Sequence, residues 1–368
     1  MFKVRKHETL ISALENVLEW YSFALFMPFL HVISEQFFPL ENVTYRKLLT
    51  FFAMSIGLFM RPCGAMIFGP IGDKFGRQKA ISLSVLLMAV PTFCIGILPS
   101  YSQLGIAAPV ILIILRALQG ISMGGEYTTA MVHLVERAPE NKRGFYGSWS
   151  DAGSQVGVLI GGQALIMLYI FFSEVEIYSF AWRIPFLLGI VLVPFAFSIP
   201  NIDLSKKNKP KDSIFNTLMK HKKEVGCTMA ITAFSAVVFY TLFTFFPYYL
   251  ISHHILSLKQ ATTCSVMTNI VMIVTIFCAG YLSDIFKRKP FMIFGVVGVS
   301  CIGYLTFILQ ENSFGYWLTM HLSYGFFMGS YYSSRAAFFA EAFPAHVRCT
   351  AVSISLSLAQ AIFGGLTP

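Results

Sequence analysis

The sequence predicts an all-α integral membrane protein, in which two six-helix halves form one bundle and about eleven spans are present. Only 12% of its 368 residues are charged and 56% are hydrophobic, whereas soluble domains carry roughly 25% charged residues. The apolar residues stand in runs of about 20, the length that crosses a hydrocarbon layer roughly 30 Å thick. Two polar loops also occur twice, at nearly constant spacing, which predicts an internal repeat.

Eleven apolar runs predict the spans in order. They cover roughly residues 10–33, 48–71, 80–99, 105–135, 145–172, 183–200, 225–250, 261–283, 290–309 and 314–340, and the last begins near 347 and is cut off at Pro368. The first run contains Glu15 and Glu19 and has no small-residue cleavage site. We therefore expect a retained span there and not a removable signal peptide.

The positive charges alternate between successive loops and predict the orientation. Twenty of the 27 Lys and Arg residues fall on the side of the N-terminus, four fall on the other side, and Arg61, Arg116 and Arg335 lie within spans. This asymmetry predicts a cytoplasmic N-terminus. The net charge of +9 is thus a signal of topology, and we expect no nucleic-acid partner.

A single long polar stretch divides the chain. Residues 201–224 contain seven lysines and follow the sixth span, which predicts a cytoplasmic linker beside anionic headgroups. The predicted units are a six-helix half at 1–200, this basic linker, and an incomplete second half at 225–368.

The two halves repeat the same loops. Gly69, Asp73 and Arg77 follow the second span, and Gly280, Asp284 and Arg288 follow the eighth at an offset of 211 residues. Glu136 and Arg143 recur as Glu341 and Arg348 at an offset of 205. Two halves in parallel orientation place a solute site at their interface near the middle of the membrane.

The loop Gly69-x-x-x-Asp73-x-x-Gly76-Arg77 resembles the signature loop of the major facilitator superfamily. The stretches 16–21, 61–64, 119–127, 142–151 and 182–186 resemble the metabolite:proton symporters, particularly the proline/betaine transporters. This resemblance implies twelve spans, alternating access and a bacterial inner membrane location, so the end of span eleven and all of span twelve would be lacking. Family members commonly carry an acid where this chain has Ser22, and Lys287 stands where the first loop has Gly76.

Charged side chains within spans are costly and are therefore candidates for substrate or proton coupling. Glu15 and Glu19 lie one helical turn apart, and neighbouring buried carboxyls raise one another's proton affinity. Glu19 could instead form an interhelical hydrogen bond or pair with an arginine. Arg61 could bind a solute carboxylate through two hydrogen bonds, or neutralise a buried acid.

The remaining intramembrane polar residues carry the same alternatives. Arg116 and Glu126 in span four are candidates on the same grounds as Arg61. Asp151 and Gln155, one turn apart in span five, could face the cavity, while Asp151 could equally brace the cytoplasmic loops. For Arg335, the lone strong charge of span ten, we expect a side chain that snorkels to the interface.

The loop residues are interpreted as a gate. Carboxylates can accept hydrogen bonds from helix N-termini, and arginines can pair across helices, so such loops can hold an outward-open state. The gating residues are Gly69, Asp73, Gly76, Arg77, Asp284, Arg288, Glu136 and Arg143. The aromatic residues of span seven, such as Tyr240 and Phe243, predict a packed or interfacial helix more than a cage for a quaternary ammonium group.

The leading hypothesis is a proton-coupled symporter that moves a small zwitterion or organic acid inward by alternating access. We expect a monomer in the lipid bilayer with small solutes and protons as partners. The alternative is an inactive remnant or a transport-derived sensor, suggested by the short C-terminal end, Ser22 and Lys287. The sequence contains no P-loop, zinc-ligand spacing or nucleophile-and-base motif, so we expect no enzyme activity, cofactor or metal.

Overall fold

A computed structural model describes residues 6–196, 214–309, 311 and 313–365, and every regular element among them is helical. The part from 6 to 196 contains α1 (Lys6–Ala24), α2 (Leu30–Phe37), α3 (Val43–Phe75), α4 (Arg77–Ile97), α5 (Tyr101–Leu104), α6 (Ala107–Met123), α7 (Glu126–Arg137), α8 (Arg143–Gly162), α9 (Ala164–Tyr169), α10 (Glu174–Glu176), α11 (Arg183–Leu188) and α12 (Val193–Ala196). The part from 214 to 365 contains α13 (Ile214–Lys220), α14 (Lys222–Tyr240), α15 (Phe246–Ser252), α16 (Leu258–Phe286), α17 (Arg288–Leu309), α18 (Phe314–Ala342) and α19 (Arg348–Ala359).

Tighter and wider helical segments join several of these helices. Short 3₁₀ segments span Glu140–Lys142 and Gly189–Leu192, and π-helical segments span Ile177–Ala181, Thr241–Phe245 and Gln360–Gly364. Within the described ranges, six helices are long and apolar enough to cross a membrane, as judged by length and composition. The prediction of an all-α membrane bundle is therefore confirmed.

Several predicted spans are divided among shorter observed helices, among them the first and the fourth. The first is broken, because α1 ends at Ala24 and α2 begins at Leu30. Pro28 lies in the connecting turn, where its missing backbone donor costs least. The over-long fourth span consists of α6 and α7, which meet at Gly124 and Gly125.

The predicted linker falls only partly within the described residues. Residues 201–213 lie outside them, whereas 214–220 form α13 and α14 begins at Lys222. The sequence pattern missed this helix because its lysines suggested a solvated connection. The end of the predicted linker is thus helical and leads directly into α14.

Each part of the chain has its own apolar core. Leu25, Phe29 and Trp182 belong to a cluster built from the first part, and Trp317 and Tyr324 belong to one built mainly from the second. Across the two parts, α8 packs against α16 and α18, and α19 packs against α3. The interface between the parts therefore runs along α8 and α19.

Small residues permit the closest helix contacts. A Cβ atom added at Gly120 of α6 would lie 2.7 Å from the Cα atom of Gly57 in α3. A lipid bilayer offers no hydrophobic drive between helices, so close packing of small residues supplies much of the attraction. Gly120 thus lets α6 lie close against α3, the helix that carries Arg61 and Asp73.

Candidate functional site

The interface between the two parts of the chain contains three successive polar or hollow regions along α8. The first turn of α8 contains Gly144 and lies in a network of ion pairs. Its middle carries Asp151 and Gln155, which line a small polar chamber. Its last turns contain Val158 and Gly162, which line a larger cavity. All three regions therefore lie in succession along α8, at the interface between the two parts of the chain.

Asp73, near the end of α3, binds the N-terminus of α19. Its carboxylate accepts hydrogen bonds from the backbone N–H groups of Cys349 and Thr350 at 3.1 and 2.8 Å, and from the Thr350 hydroxyl at 2.7 Å. Arg77 donates to Asp73 at 2.7 Å and to the Ala345 carbonyl at 2.9 Å. A carboxylate at a helix N-terminus satisfies free N–H groups and interacts favourably with the helix dipole.

Glu136 extends this first network to a second arginine. Its carboxylate accepts from Arg77 at 3.1 and 3.2 Å and from Arg348 at 2.7 Å. Arg77 belongs to the first part of the chain and Arg348 to the second, so Glu136 joins them. A Cβ atom at Gly69 would lie 2.8 Å from the Cα atom of Thr350, so only a glycine lets α19 approach α3 this closely.

Asp284, near the end of α16, makes the equivalent contact with α8. Its oxygens accept from the backbone N–H groups of Gly144 and Phe145 at 2.7 and 2.8 Å. Arg288 donates to Asp284 at 3.1 Å and to Glu341 at 2.7 and 2.8 Å. We call the Asp73 and Asp284 networks together the latch. Gly144 and Phe145 precede Cys349 and Thr350 by 205 residues, the same offset as the sequence repeat.

The repeat also extends to backbone conformation. Gly76 has φ 99° and ψ 149°, and Lys287, at the same place in the second loop, has φ 70° and ψ 160°. This region is almost restricted to glycine, and other residues adopt it at a cost of about 1–3 kcal/mol. Lys287 therefore keeps the geometry of the first loop although its side chain is unfavourable there.

Asp151 and Arg335 form a buried ion pair between α8 and α18. Tyr127 donates its hydroxyl hydrogen to Asp151 at 2.8 Å and accepts from Arg335 at 2.6 Å. Arg335 also donates to the Ser235 hydroxyl at 3.2 Å, and its guanidinium lies 4.4 Å from the Tyr332 ring centroid. The expectation that Arg335 snorkels is wrong, because an internal carboxylate holds it inside the bundle. Asp151 lies within the interior, where its partners among the described residues are Tyr127 and Arg335.

Arg61 is a buried cation with few partners. Its side chain is 1% exposed, and its hydrogen bond to the Met123 sulfur is 3.9 Å long. Within the described chain its Nε has no acceptor, although the charge of Glu19 acts on it and its guanidinium lies 6.0 Å from the Trp20 ring centroid. A buried charge without good hydrogen bonds is costly, so Arg61 is suited to receive an anionic group.

Three buried carboxyl groups lie close enough to interact where α1 packs against α7. They belong to Glu15, Glu19 and Glu126, which are all 1% exposed or less. Neither oxygen of Glu15 or Glu19 has a hydrogen-bond partner among the described residues, whereas Glu126 accepts from Ser122 at 3.1 Å. The pair expected from the sequence is therefore a group of three.

Arg116 lies deeper within the first part of the chain. It donates to Gln119 at 2.8 Å, and its guanidinium lies 4.4 Å from the Phe26 ring centroid and 5.2 Å from that of Phe23. Gln119 in turn donates to Thr92 at 2.7 Å. Arg116 lines neither hollow region directly, since Phe23 stands between it and the larger cavity.

The larger cavity has a volume of about 480 Å³ and an aromatic wall. We call it the outer cavity. Its aromatic lining residues include Trp20, Phe23, Phe239, Tyr240 and Phe243. Trp20 of α1 and Phe239 of α14 meet edge to face at 5.9 Å and line both the outer cavity and the polar chamber. Part of the aromatic set in span seven thus lines a cavity, while Phe246 is packed in the core.

Several residues of the chamber escaped the sequence analysis. Tyr127 and Gln360 line the chamber, and Ser235 accepts a hydrogen bond from Arg335. All three are uncharged, so only the structure shows where they lie. Arg335 is an intramembrane charge by its sequence position, and Asp151 is the one acid within the predicted spans other than the first and fourth. Matching these opposite charges in different spans would have suggested the pair.

The family comparison agrees with the sequence resemblance. The model of the Major Facilitator Superfamily matches residues 13–368. A Staphylococcus aureus (strain COL) protein is 32% identical over all of this chain and 81% of its own length. Relatives from Salmonella typhimurium and Escherichia coli K12, both named proline/betaine transporter, are 30% identical over all of this chain and 77% of their length. The predicted resemblance is confirmed.

Solved structures show the same fold. The proton:xylose symporter XylE bound to 6-bromo-6-deoxy-D-glucose matches with a TM-score of 0.81 at 17% identity, over 97% of this chain and 86% of that one. The inward-open conformation of XylE from Escherichia coli matches with a TM-score of 0.68 at 15% identity, over 97% and 89%. The human organic anion transporter MFSD10 matches with a TM-score of 0.72 at 13% identity, over 98% and 92%.

Proposed function

The chain belongs to the major facilitator superfamily, and we propose that it is a proton-coupled importer of small zwitterions or organic acids, as its proline/betaine-transporter relatives suggest. Membership makes it a multi-pass secondary transporter and not an enzyme. The proposal concerns the solute, the coupling ion and the direction. It also includes the division into two six-helix halves and a bacterial inner membrane location with a cytoplasmic N-terminus.

The outer cavity is the observation that most supports this solute class. Its volume of about 480 Å³ falls within the range of small-molecule sites. An aromatic wall suits an ammonium group through cation–π attraction, worth about 0.5–2 kcal/mol. Arg61, beyond the Trp20 ring, supplies the opposite charge for a carboxylate. Together they suit a solute that carries both groups.

Glu19 is the proposed proton carrier. It is fully buried, neither of its oxygens accepts a hydrogen bond of good geometry among the described residues, and its charge acts on Arg61. Binding a proton removes the buried charge, and losing it restores the attraction to Arg61. Glu15 and Glu126 belong to the same group of carboxyls and are secondary candidates. Asp151, held by Arg335 and Tyr127, is less suited to exchange protons.

The latch is the proposed cytoplasmic gate. Both of its networks are formed, whereas the outer cavity lies at the opposite ends of α8 and α16. Gly69, Gly76, Asp73, Arg77, Glu136, Arg143, Asp284 and Arg288 are the proposed gating residues.

The other candidates are proposed to support the site. Gln155 lines the polar chamber, and its Oε1 has no partner within the described residues. The guanidinium of Arg116 lies against the Phe23 ring, which lines the outer cavity, so its positive charge interacts with the wall of this cavity. We propose that Arg116 orients this wall and does not touch the solute.

Uptake into proteoliposomes tests the proposed function. Purified protein is reconstituted, and radiolabelled proline, glycine betaine and a dicarboxylate are offered with and without an inward proton gradient. We expect uptake of at least one zwitterion that is driven by the gradient and abolished by a protonophore. If the gradient drives uptake of none of these solutes, the proposed function is wrong.

A further inference from the structure

The polar chamber contains more hydrogen-bonding groups than its residues satisfy. Its lining includes Arg61, Asp151, Gln155, Arg335 and Gln360. Among the described residues, Oδ2 of Asp151, Oε1 of both glutamines and Nε of both arginines have no partner. Each of these side chains is at least nine-tenths buried. Buried polar groups in native structures are nearly always paired, so unpaired atoms around one small space indicate a ligand.

The charge of the chamber lining favours an anion. Its lining contains two positively charged residues, Arg61 and Arg335, and one carboxylate, that of Asp151. Glu19 also acts on Arg61, yet it does not line the chamber. Two guanidinium groups facing one carboxylate leave room for a second carboxylate, which a planar guanidinium binds through two hydrogen bonds.

The size of the chamber restricts what can enter. Its volume is about 20 Å³, room for about one or two water molecules. A carboxylate fits this space, whereas a trimethylammonium group or a pyrrolidine ring does not. The body of such a solute would stay in the outer cavity. Trp20 and Phe239 stand between the two spaces and come from different parts of the chain.

We propose that the polar chamber is the carboxylate subsite of the solute, and that Arg335 binds this carboxylate by exchanging Asp151 for it. Arg61 donates to the same carboxylate from the opposite part of the chain. Trp20 and Phe239 separate to admit the group and then contact the body of the solute. This assignment rests on the proposed function, since it presumes a solute that carries a carboxylate.

The exchange links binding to motion. Asp151 on α8 and Arg335 on α18 join the two parts of the chain at the middle of the path. When the solute replaces Asp151, this direct ion pair is lost and a solute-mediated contact takes its place. Arg335 is thereby a specificity residue for carboxylates, and Asp151 is an internal competitor that occupies it in the empty transporter.

Equilibrium binding to purified protein in detergent at fixed pH tests the subsite without a gradient. Glycine betaine and choline share a trimethylammonium group, and only betaine carries a carboxylate. We expect wild-type protein to bind betaine at least tenfold more tightly than choline. Asp151→Asn removes the competitor, so betaine should bind as tightly as in the wild type or several-fold more tightly.

The double variant Asp151→Asn/Arg335→Gln distinguishes a role of Arg335 in binding the solute from a purely structural role. It leaves no unpaired buried charge, so a purely structural Arg335 would permit wild-type binding. We expect betaine affinity to fall at least tenfold, to the level of choline. Arg335→Lys keeps a charge beside Asp151 but loses the planar fork, and it should also weaken betaine binding. Arg183→Gln is the control, because Arg183 donates to the Gly96 and Leu98 carbonyls outside the site.

The outcomes are distinguishable. Equal affinity for betaine and choline in the wild type overturns the carboxylate subsite and leaves the proposed transport of zwitterions standing. Wild-type betaine affinity in the double variant, or loss of binding in Asp151→Asn, also overturns the subsite alone. If betaine, proline and a dicarboxylate all fail to bind to the wild-type protein, the subsite and the proposed solute class are both overturned.

Discussion

Asp73 and Thr350 lie 277 residues apart in the chain, yet the Asp73 carboxylate accepts hydrogen bonds from both the backbone N–H and the hydroxyl of Thr350, at 2.8 and 2.7 Å. A helix from the first part of the chain thereby caps a helix from the second. Asp284 repeats the relationship in the opposite direction, with Gly144 and Phe145. Opening this end of the bundle requires both carboxylates to leave a helix N-terminus.

A cysteine at position 72 should form a disulfide with the natural Cys349 when the latch is closed. A Cβ atom at Gly72 would lie 3.3 Å from the Cβ atom of Cys349, close to the 3.5–4.5 Å found in disulfides. Oxidation of Gly72→Cys should therefore yield a peptide linking residues 72 and 349, detected by mass spectrometry. The same oxidation should stop transport, and reduction should restore it.

Gly72→Ser is the matched control, since serine has the size of cysteine and cannot crosslink. It should keep its activity after oxidation. If the Gly72→Cys protein transports at an unchanged rate when fully crosslinked, the latch does not need to open during transport and its role as a gate is wrong.

Asp73→Asn should weaken the latch. An asparagine loses the negative charge that strengthens three hydrogen bonds to α19, which amounts to about 2 kcal/mol or roughly thirtyfold in population. In the Gly72→Cys background, the crosslinking rate should fall accordingly. Glu140→Gln is the control, because Glu140 is exposed and its 3.8 Å ion pair with Arg143 contributes little. If both substitutions lowered the crosslinking rate equally, Asp73 would not be what holds the latch closed.

Lys287→Gly should stabilise the protein. Lys287 has φ 70° and ψ 160°, a conformation that glycine adopts without strain. Relief of this strain should contribute about 1 kcal/mol and raise the melting temperature in detergent by a few degrees. Lys289→Gly, which introduces a glycine at a neighbouring position of ordinary backbone conformation, should not raise it. A fall in melting temperature for Lys287→Gly would show that the Lys287 side chain matters more than the backbone strain.

Glu19→Gln should uncouple transport from the proton gradient. With the membrane potential held at zero, an inward gradient of one pH unit supplies about 1.4 kcal/mol per proton, so one coupled proton supports about tenfold accumulation. The variant should equilibrate solute without accumulating it, and solute exchange should persist. The exposed Glu174→Gln serves as the control. Tenfold accumulation by Glu19→Gln would move the proton site to Glu15, Glu126 or elsewhere.

Gly120→Ala should destabilise the bundle. The added Cβ atom would lie 2.7 Å from the Cα atom of Gly57 and would force α3 and α6 apart, at a cost of about 1–3 kcal/mol. Gly226→Ala is the matched control, because a Cβ atom there meets no atom within 4 Å. The melting temperature should fall for the first and stay level or rise for the second. Equal behaviour of both variants would contradict the close packing.

The helical framework was largely predictable from composition and loop repeats. Hydrocarbon thickness sets the span length and excludes unsatisfied backbone, so apolar runs translate directly into helices. The exceptions were local. The break between Ala24 and Leu30 follows Pro28, and α13 follows a lysine-rich stretch that suggested a loop.

The residues of the latch were predictable from the sequence, and their partners were not. The repeated loops identified Asp73 and Asp284 as acids able to cap helix N-termini. Nothing in a single sequence states that each acid caps a helix of the other part of the chain. Only the structure shows that Lys287 adopts the same backbone conformation as Gly76. From the residue type alone, a lysine at this position suggests that the turn is not conserved between the two loops.

By itself, the sequence determined that this chain crosses a membrane many times, that it repeats, and which few charges lie within the spans. These properties follow from local chemistry: apolar length, loop composition and the cost of a buried charge. Only the tertiary structure decided which of those charges meet. It placed Arg335 against Asp151. Among the described residues it left Nε of Arg61 without an acceptor and both carboxylate oxygens of Glu19 without a hydrogen bond of good geometry. Pairing depends on how distant helices pack and rotate, and that arrangement is a property of the whole bundle.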